Sequence, residues 1–227
     1  MATAHKRVTR KALRQPDWFQ VTTEKVYEFY EGHRLKVLLG VAAVMALLLA
    51  LWGWQVFKER QNNKAADEFG VATALYHAQH YSEAVSAFEK VEDYRWSHYA
   101  MFAYLYEANS YLALHDLNKA LTTAQRFVNA TSPDSLWRQI GLVTLGFIEE
   151  SKGQDREALQ HYSEAEGITG AFRERALLGQ ARTSERLGDL KTALTAYREY
   201  DKEFPGTPVG LRIAELEAKL ASQPATK

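Results

Sequence analysis

QHYSEAVSAF (79–88), HDLNKALTTA (115–124), GQDREALQHY (153–162) and GDLKTALTAY (188–197) carry one signature four times: a short polar turn, then an alanine at a fixed offset. The alanines are Ala84, Ala120, Ala158 and Ala193, separated by 36, 38 and 35 residues. Three of the four stretches place an aromatic one helical turn later, Phe88, Tyr162 and Tyr197; the second has Ala124 there. An alanine at a fixed offset from a turn marks a place where two helices cross closely and only a small side chain fits. The residue four positions on lies along the same face and packs between the helices. Gly153 and Gly188 are expected to end the preceding helix by supplying a left-handed position, and Asp189 to cap the next one. Outward from these stretches, residues 65–221 contain three prolines, Pro133, Pro205 and Pro208, and no sustained alternation of apolar and polar residues. The spacing is helical throughout, so this part reads as all-α.

Repetition at this period is close to that of tetratricopeptide repeats, which use two helices per repeat of about 34 residues. The chain resembles them in Leu145-Gly146 and Tyr111 on first helices, in the alanine and aromatic positions of the second helices, and in the late Pro205. The resemblance implies an α-solenoid of about four helix pairs, covered by a terminal helix near 208–221 that hides the last apolar face.

The chain has 227 residues, enough for one or two domains. Its 28 basic and 28 acidic residues cancel, which argues against a general nucleic-acid binder. The absence of cysteine removes disulfides, thiolate metal sites and cysteine nucleophiles. A mean hydropathy of −0.37 hides one segment. VLLGVAAVMALLLALWGWQVF, residues 37–57, is uncharged. At about 1.5 Å per residue it reaches about 31 Å, the thickness of a bilayer's hydrocarbon core. Trp52 and Trp54 lie at its end as interfacial anchors. The run is long and has no small-x-small site after it, so it reads as a retained transmembrane helix rather than a cleaved signal. Eight basic and four acidic residues precede it. The positive-inside rule then keeps the N-terminus in the cytoplasm and puts the larger part on the trans side. The expected organisation is a basic cytoplasmic tail over 1–36, the span over 37–57, the repeat domain over 58–221 and a frayed tail over 222–227. Within the tail, residues 17–34 (DWFQVTTEKVYEFYEGHR) read as a short aromatic helix at the membrane interface, broken near Gly32.

The order of basic tail, span ending in Gly53-Trp54, small residues Ala65 and Ala66, and Ala-rich repeats has a further likeness. The segment LALWGWQVFKERQNNKAADEFGVATAL resembles the YfgM-like family, ancillary subunits of the bacterial Sec translocon. The resemblance implies a single-pass protein of the inner membrane with a periplasmic repeat domain. It implies translocon subunits, a periplasmic chaperone or secreted clients as protein partners. This chain departs from the family in its more basic tail and clearer repeats. A fixed structural subunit of another envelope complex is the alternative reading.

Projecting the first helix of each repeat places a protein-binding groove on Phe69, Thr73 and Tyr76, then Phe102, Leu105, Asn109 and Leu112, then Ile140, Val143 and Phe147. In the fourth repeat Arg175, Leu178, Arg182 and Glu185 follow. The wall is apolar over three repeats and charged in the last, which suits an apolar segment of a partner; packing of these residues against each other is the competing role. The dense aromatics Tyr94, Trp96, Tyr99, Phe102, Tyr104 and Tyr106 read either as interface anchors or as the core of a helix pair. Catalytic signals are weak. There is no HExxH, no phosphate loop and no nucleophile elbow, and His77 and His80 have no third ligand at a convincing spacing. Glu149 and Glu150 read as solvated surface. The expectation is a non-enzymatic adaptor with no catalytic residues, metal, cofactor or small-molecule substrate.

Overall fold

The computed structural model describes residues 18–206 and 208–222, and every described element is helical. The order is α1 (Trp18–His77), α2 (Tyr81–Glu92), α3 (His98–Ala113), α4 (Leu117–Ala130), α5 (Leu136–Ser151), α6 (Asp155–Gly167), α7 (Arg173–Arg186), α8 (Leu190–Glu203) and α9 (Gly210–Ser222). The basic stretch 1–16 and the tail 223–227 fall outside the described residues. The chain divides into two compact units at Phe57 and Lys58.

The first unit holds the apolar stretch of α1. Leu38, Leu39, Leu47, Leu48, Leu49, Leu51 and Trp52 are all more than half exposed, which water would penalise and lipid would not. By length and hydropathy the helix is compatible with a single-pass anchor. Helical geometry is interrupted at His33 (φ −131°, ψ 25°), one residue after the expected break at Gly32, which stays helical. The His33 ring stacks on Phe29 at 4.8 Å and its Nδ1 lies 3.2 Å from the Phe29 carbonyl.

The second unit stacks its helices in chain order, each against the next, from α2 through α9. Ala84, Ala120, Ala158 and Ala193 have no exposed surface. Phe88 and Tyr162 are fully buried beside them, Tyr197 nearly so, and Ala124 fills the same slot in the second repeat. Five residues before each alanine the backbone turns left-handed: Gln79 (φ 63°), His115 (φ 59°), Gly153 (φ 72°) and Gly188 (φ 79°). The glycines take this conformation freely; Gln79 and His115 carry its strain because the turn is needed there too. Asp189 caps α8 by accepting from the Thr192 amide at 3.1 Å, and Asp116 caps α4 in the same way from Lys119 at 3.2 Å. The two hydrogen bonds from Thr192, side chain first, hold the Asp189 carboxyl below its ordinary range. Leu216 of α9 is fully buried against Ala193 and Tyr197, closing the stack.

Tyr162 shows how tight the crossings are. A Cβ at Gly146 would stand 2.9 Å, and one at Gly179 2.4 Å, from the Tyr162 ring. Gly179→Ala is therefore expected to cost about 1–3 kcal/mol through overpacking. Gly70→Ala, at an open helical site, should raise stability by up to about 1 kcal/mol. Guanidinium unfolding of both variants in detergent checks the contrast; equal behaviour would disprove the tight crossing.

Candidate functional site

First helices of successive repeats (the end of α1, then α3, α5 and α7) form one wall. Two neighbouring cavities open on it. One, of about 560 Å³, is lined by Phe69, Tyr76, His77, Phe102, Leu105, Tyr106, Asn109, Trp137, Ile140 and Phe172. The other, of about 380 Å³, is lined by Asn109, Leu112, Val143, Thr144, Phe147, Tyr162, Arg175, Leu178 and Arg182. Asn109 belongs to both, so they form one groove. Phe69, Tyr76, Phe102, Leu105, Asn109, Leu112, Ile140, Val143 and Phe147 lie along it, and none of them is fully buried. Thr73, projected onto the same wall, turns its hydroxyl back to the Phe69 and Gly70 carbonyls. Glu185 lies beyond the groove, paired with Arg212.

The wall residues do two jobs. Phe69 and Tyr76 also pack on the first core cluster, where Phe69 meets Phe88 at 5.7 Å, Tyr99 at 5.3 Å and Tyr106 at 5.4 Å. Leu112 and Val143 rest on the central cluster. Phe102 instead meets the Trp137 ring edge-on at 4.7 Å, and Phe147 stays half-exposed. The dense aromatics divide accordingly. Tyr94, Tyr99 and Tyr106 join the core, the Arg126 guanidinium lies 4.2 Å over the Tyr104 ring, and Trp96 is 55% exposed. Trp137 and Phe172 were missed by projection from the sequence. Each stands three residues before a wall residue, Ile140 and Arg175, so one more turn of the same register finds them.

Glu149 and Glu150 are a correction. Neither is solvated surface. Glu149 is buried, 2.6 Å from His161 Nδ1. Glu150 lies under the groove and accepts from Arg182 Nη2 (2.9 Å), Arg186 Nη1 (2.7 Å) and the Tyr162 hydroxyl (2.8 Å). Burial pushes its carboxyl up, but the hydrogen bonds from Arg182, Arg186 and Tyr162 outweigh that and hold it at about 2. The partners come from α6 and α7, too distant in sequence for local spacing to show. The Arg182 charge facing the groove is thereby neutralised.

Among the described residues no cluster of His, Asp and Glu has the geometry to hold a metal ion. His77 stands edge-on to Tyr76, and His80 lies beside Glu83.

The sequence profile of the tetratricopeptide repeat-like domain matches residues 28–202. This chain belongs to that family. The nearly identical TPR-like repeats assigned to a kinesin light chain of Podosopora anserina are similar in structure, with a TM-score of 0.57 at 14% identity over 71% of this chain and 89% of that one. PilW, a widely conserved type IV pilus biogenesis factor, aligns with a TM-score of 0.39 at 17% identity over 73% of this chain and 96% of its own. A thermophilic TPR protein of Thermus thermophilus gives 0.34 at 16% identity, over 69% of this chain and 99% of its own. No curated protein matches the chain. Membership makes this a repeat protein of a kind that binds protein partners.

On the side of the stack away from the groove, Glu107 is a buried carboxyl. Burial raises it to about 8, helped by its hydrogen bond and charge repulsion with Glu92 and opposed by Arg126. The Thr123 hydroxyl donates to it at 3.5 Å. An acid raised in the folded state contributes stability that is complete below its unfolded value near 4.3 and is lost as pH climbs through the folded one. Glu107→Gln should therefore stabilise the fold by about 1–3 kcal/mol at pH 8 and much less at pH 5. Denaturant midpoints at the two pH values test this, and an equal gain at both would contradict it.

Proposed function

We propose that the chain is a membrane-anchored, non-enzymatic adaptor whose groove binds proteins or peptides on the trans side of the bacterial inner membrane. Residues 37–57 span the bilayer with the basic tail 1–36 in the cytoplasm, and Trp52 and Trp54 settle at the trans interface. The repeat domain, residues 58–221, then stands in the periplasm. The resemblance to YfgM-like proteins names the setting: assistance to the Sec translocon and its periplasmic chaperones.

The observation that carries the reading is the open wall of Phe102, Trp137, Ile140 and Phe147, which the fold leaves partly exposed in a chain that also has an apolar helix long enough to span a membrane. An apolar wall of this size is what an apolar segment needs. Burying about 400 Å² of apolar area gives about 10 kcal/mol at about 25 cal/mol per Å², before association costs reduce it toward micromolar binding. Tethering compensates for modest affinity. It raises the effective concentration of the groove near any complex in the same membrane, with no new contact.

Photocrosslinkers placed at Phe102 and Phe147 in the intact membrane test this. The expected adducts are translocon subunits, periplasmic chaperones and several secreted chains, with none from Ser86 on the opposite helix row. With the crosslinker moved to Trp137 of the same wall, replacing both phenylalanines by aspartate should preserve the fold and remove the adducts. A single stoichiometric adduct from another complex would make the chain a fixed structural subunit instead.

A further inference from the structure

The connection between α2 and α3, residues 93–97, reads DYRWS. It is fixed at both ends and turned outward in the middle. Tyr94 packs on the first core cluster. The Ser97 amide donates to the Tyr94 carbonyl at 2.8 Å, and the Ser97 hydroxyl accepts from the Tyr99 amide at 3.1 Å. The same hydroxyl donates to Asn62 Oδ1 at 2.9 Å. Between these held residues stand Arg95, exposed, and Trp96, with 55% of its surface exposed. An indole is a large apolar body with one N–H donor, suited to a surface that is apolar on one side and wet on the other. The tight turns at the opposite end of the helix pairs, 78–80, 114–116, 152–154 and 187–189, carry no Trp, Tyr or Phe.

The Asn62–Ser97 bond determines which surface that is. Asn62 belongs to the second compact unit and follows Phe57, the last residue of the uncharged run, by five residues. Five residues reach at most about 18 Å, whatever the angle between the two units. In the helical conformation of α1 they rise about 7.5 Å. The headgroup layer outside the hydrocarbon core is itself about 5–8 Å thick. The loop is therefore tied to the chain at the outer edge of that layer, and the indole next to Ser97 is long enough to re-enter it. Charge agrees with the placement. Residues 58–64 (KERQNNK) carry three basic side chains and one acidic, and Arg95 offsets Asp93. Basic residues beside an indole suit anionic headgroups. We propose that Trp96 is a second membrane contact: its indole enters the headgroup layer of the bilayer that residues 37–57 span and holds the first repeat against the lipid. The proposal rests on the reading of 37–57 as a span and adds a lipid contact made by the repeat domain itself. A single tether fixes distance and leaves orientation open. A second contact from the α2–α3 loop removes that freedom and presents the groove at one set angle to the membrane.

The test uses the full chain in lipid nanodiscs of phosphatidylcholine with about a quarter phosphatidylglycerol, whose acyl chains are either plain or brominated near the headgroup. The chain has five tryptophans, Trp18, Trp52, Trp54, Trp96 and Trp137. Trp18→Phe, Trp52→Phe, Trp54→Phe and Trp137→Phe together leave Trp96 as the fluorescent reporter, and the matching sets leave Trp54 or Trp137. Brominated lipid should remove about half of the emission of Trp96 and of Trp54 and leave that of Trp137 unchanged. Acrylamide, a quencher in water, should act mainly on Trp137. Quenching of Trp54 by brominated lipid, with Trp96 open to acrylamide, would overturn the second contact and leave the span standing. Shielding of Trp96 from both quenchers would mean that protein covers it, and would overturn the lipid assignment. A Trp54 that brominated lipid does not reach would sink the span and the proposal with it. A second measurement keeps the other tryptophans in place. A nitroxide on His98→Cys, an exposed site at the start of α3, should become about threefold more accessible to a water-soluble nickel complex when Trp96→Ser is added. Unchanged accessibility would contradict the proposal.

Discussion

Everything in the repeat domain depends on how closely its helices cross. Each second helix presents a fully buried alanine, Ala84, Ala120, Ala158 or Ala193, where a larger side chain would push the pair apart. Close crossing fixes the angle between neighbours, and repeating it four times turns the row of first helices into a single curved wall. The turns serve the same constraint. A left-handed residue five positions before each alanine ends one helix and aims the next, even where Gln79 and His115 must carry the strain. Tyr162 makes the dependence concrete. Its ring lies against Gly146 and Gly179, its hydroxyl reaches Glu150, and its edge forms part of the groove.

Much of this was legible because it is periodic. The alanine spacing, the aromatic four residues later, Gly153, Gly188 and the Asp189 cap are local features with local causes. The residues along the cavities, from Phe69 to Phe147, share the register of the first helices, which is local too. What stayed hidden has causes that cross between helices. Nothing in Gln79 or His115 announces a left-handed turn, since neither is a residue that prefers it. Glu150 looked like surface because Arg182 and Arg186, which bury and neutralise it, come 32 and 36 residues later. Glu107 was silent for the same reason, its neighbour Glu92 lying on the previous helix row. Trp137 and Phe172 were one turn further along a register already drawn.

The division of charge gives the wall its character. Arginines outside the groove lining are tied to carboxylates: Arg126 to Glu92, Arg138 to Glu164, and Arg173 to Glu166, Glu199 and Glu203. Such exposed or half-exposed pairs contribute little each, but they keep acids away from the groove. The fold leaves apolar surface there that its own core does not use. In a free soluble protein such a surface invites aggregation. In the function proposed above, a membrane anchor tethers this surface near its partners, and that coupling of exposed wall to anchor is the centre of the functional reading.

The most direct test of that coupling is topological. The chain contains no cysteine, so single-cysteine variants report without background. Thr9→Cys marks the basic tail and Ser86→Cys an exposed site on α2. A membrane-impermeant maleimide applied to intact cells with a permeabilised outer membrane should label Ser86→Cys at once, and Thr9→Cys only after lysis. Labelling of Thr9→Cys before lysis, or protection of Ser86→Cys until lysis, would put the repeat domain on the wrong side or remove the span, and the account of a groove held on the trans face would fail.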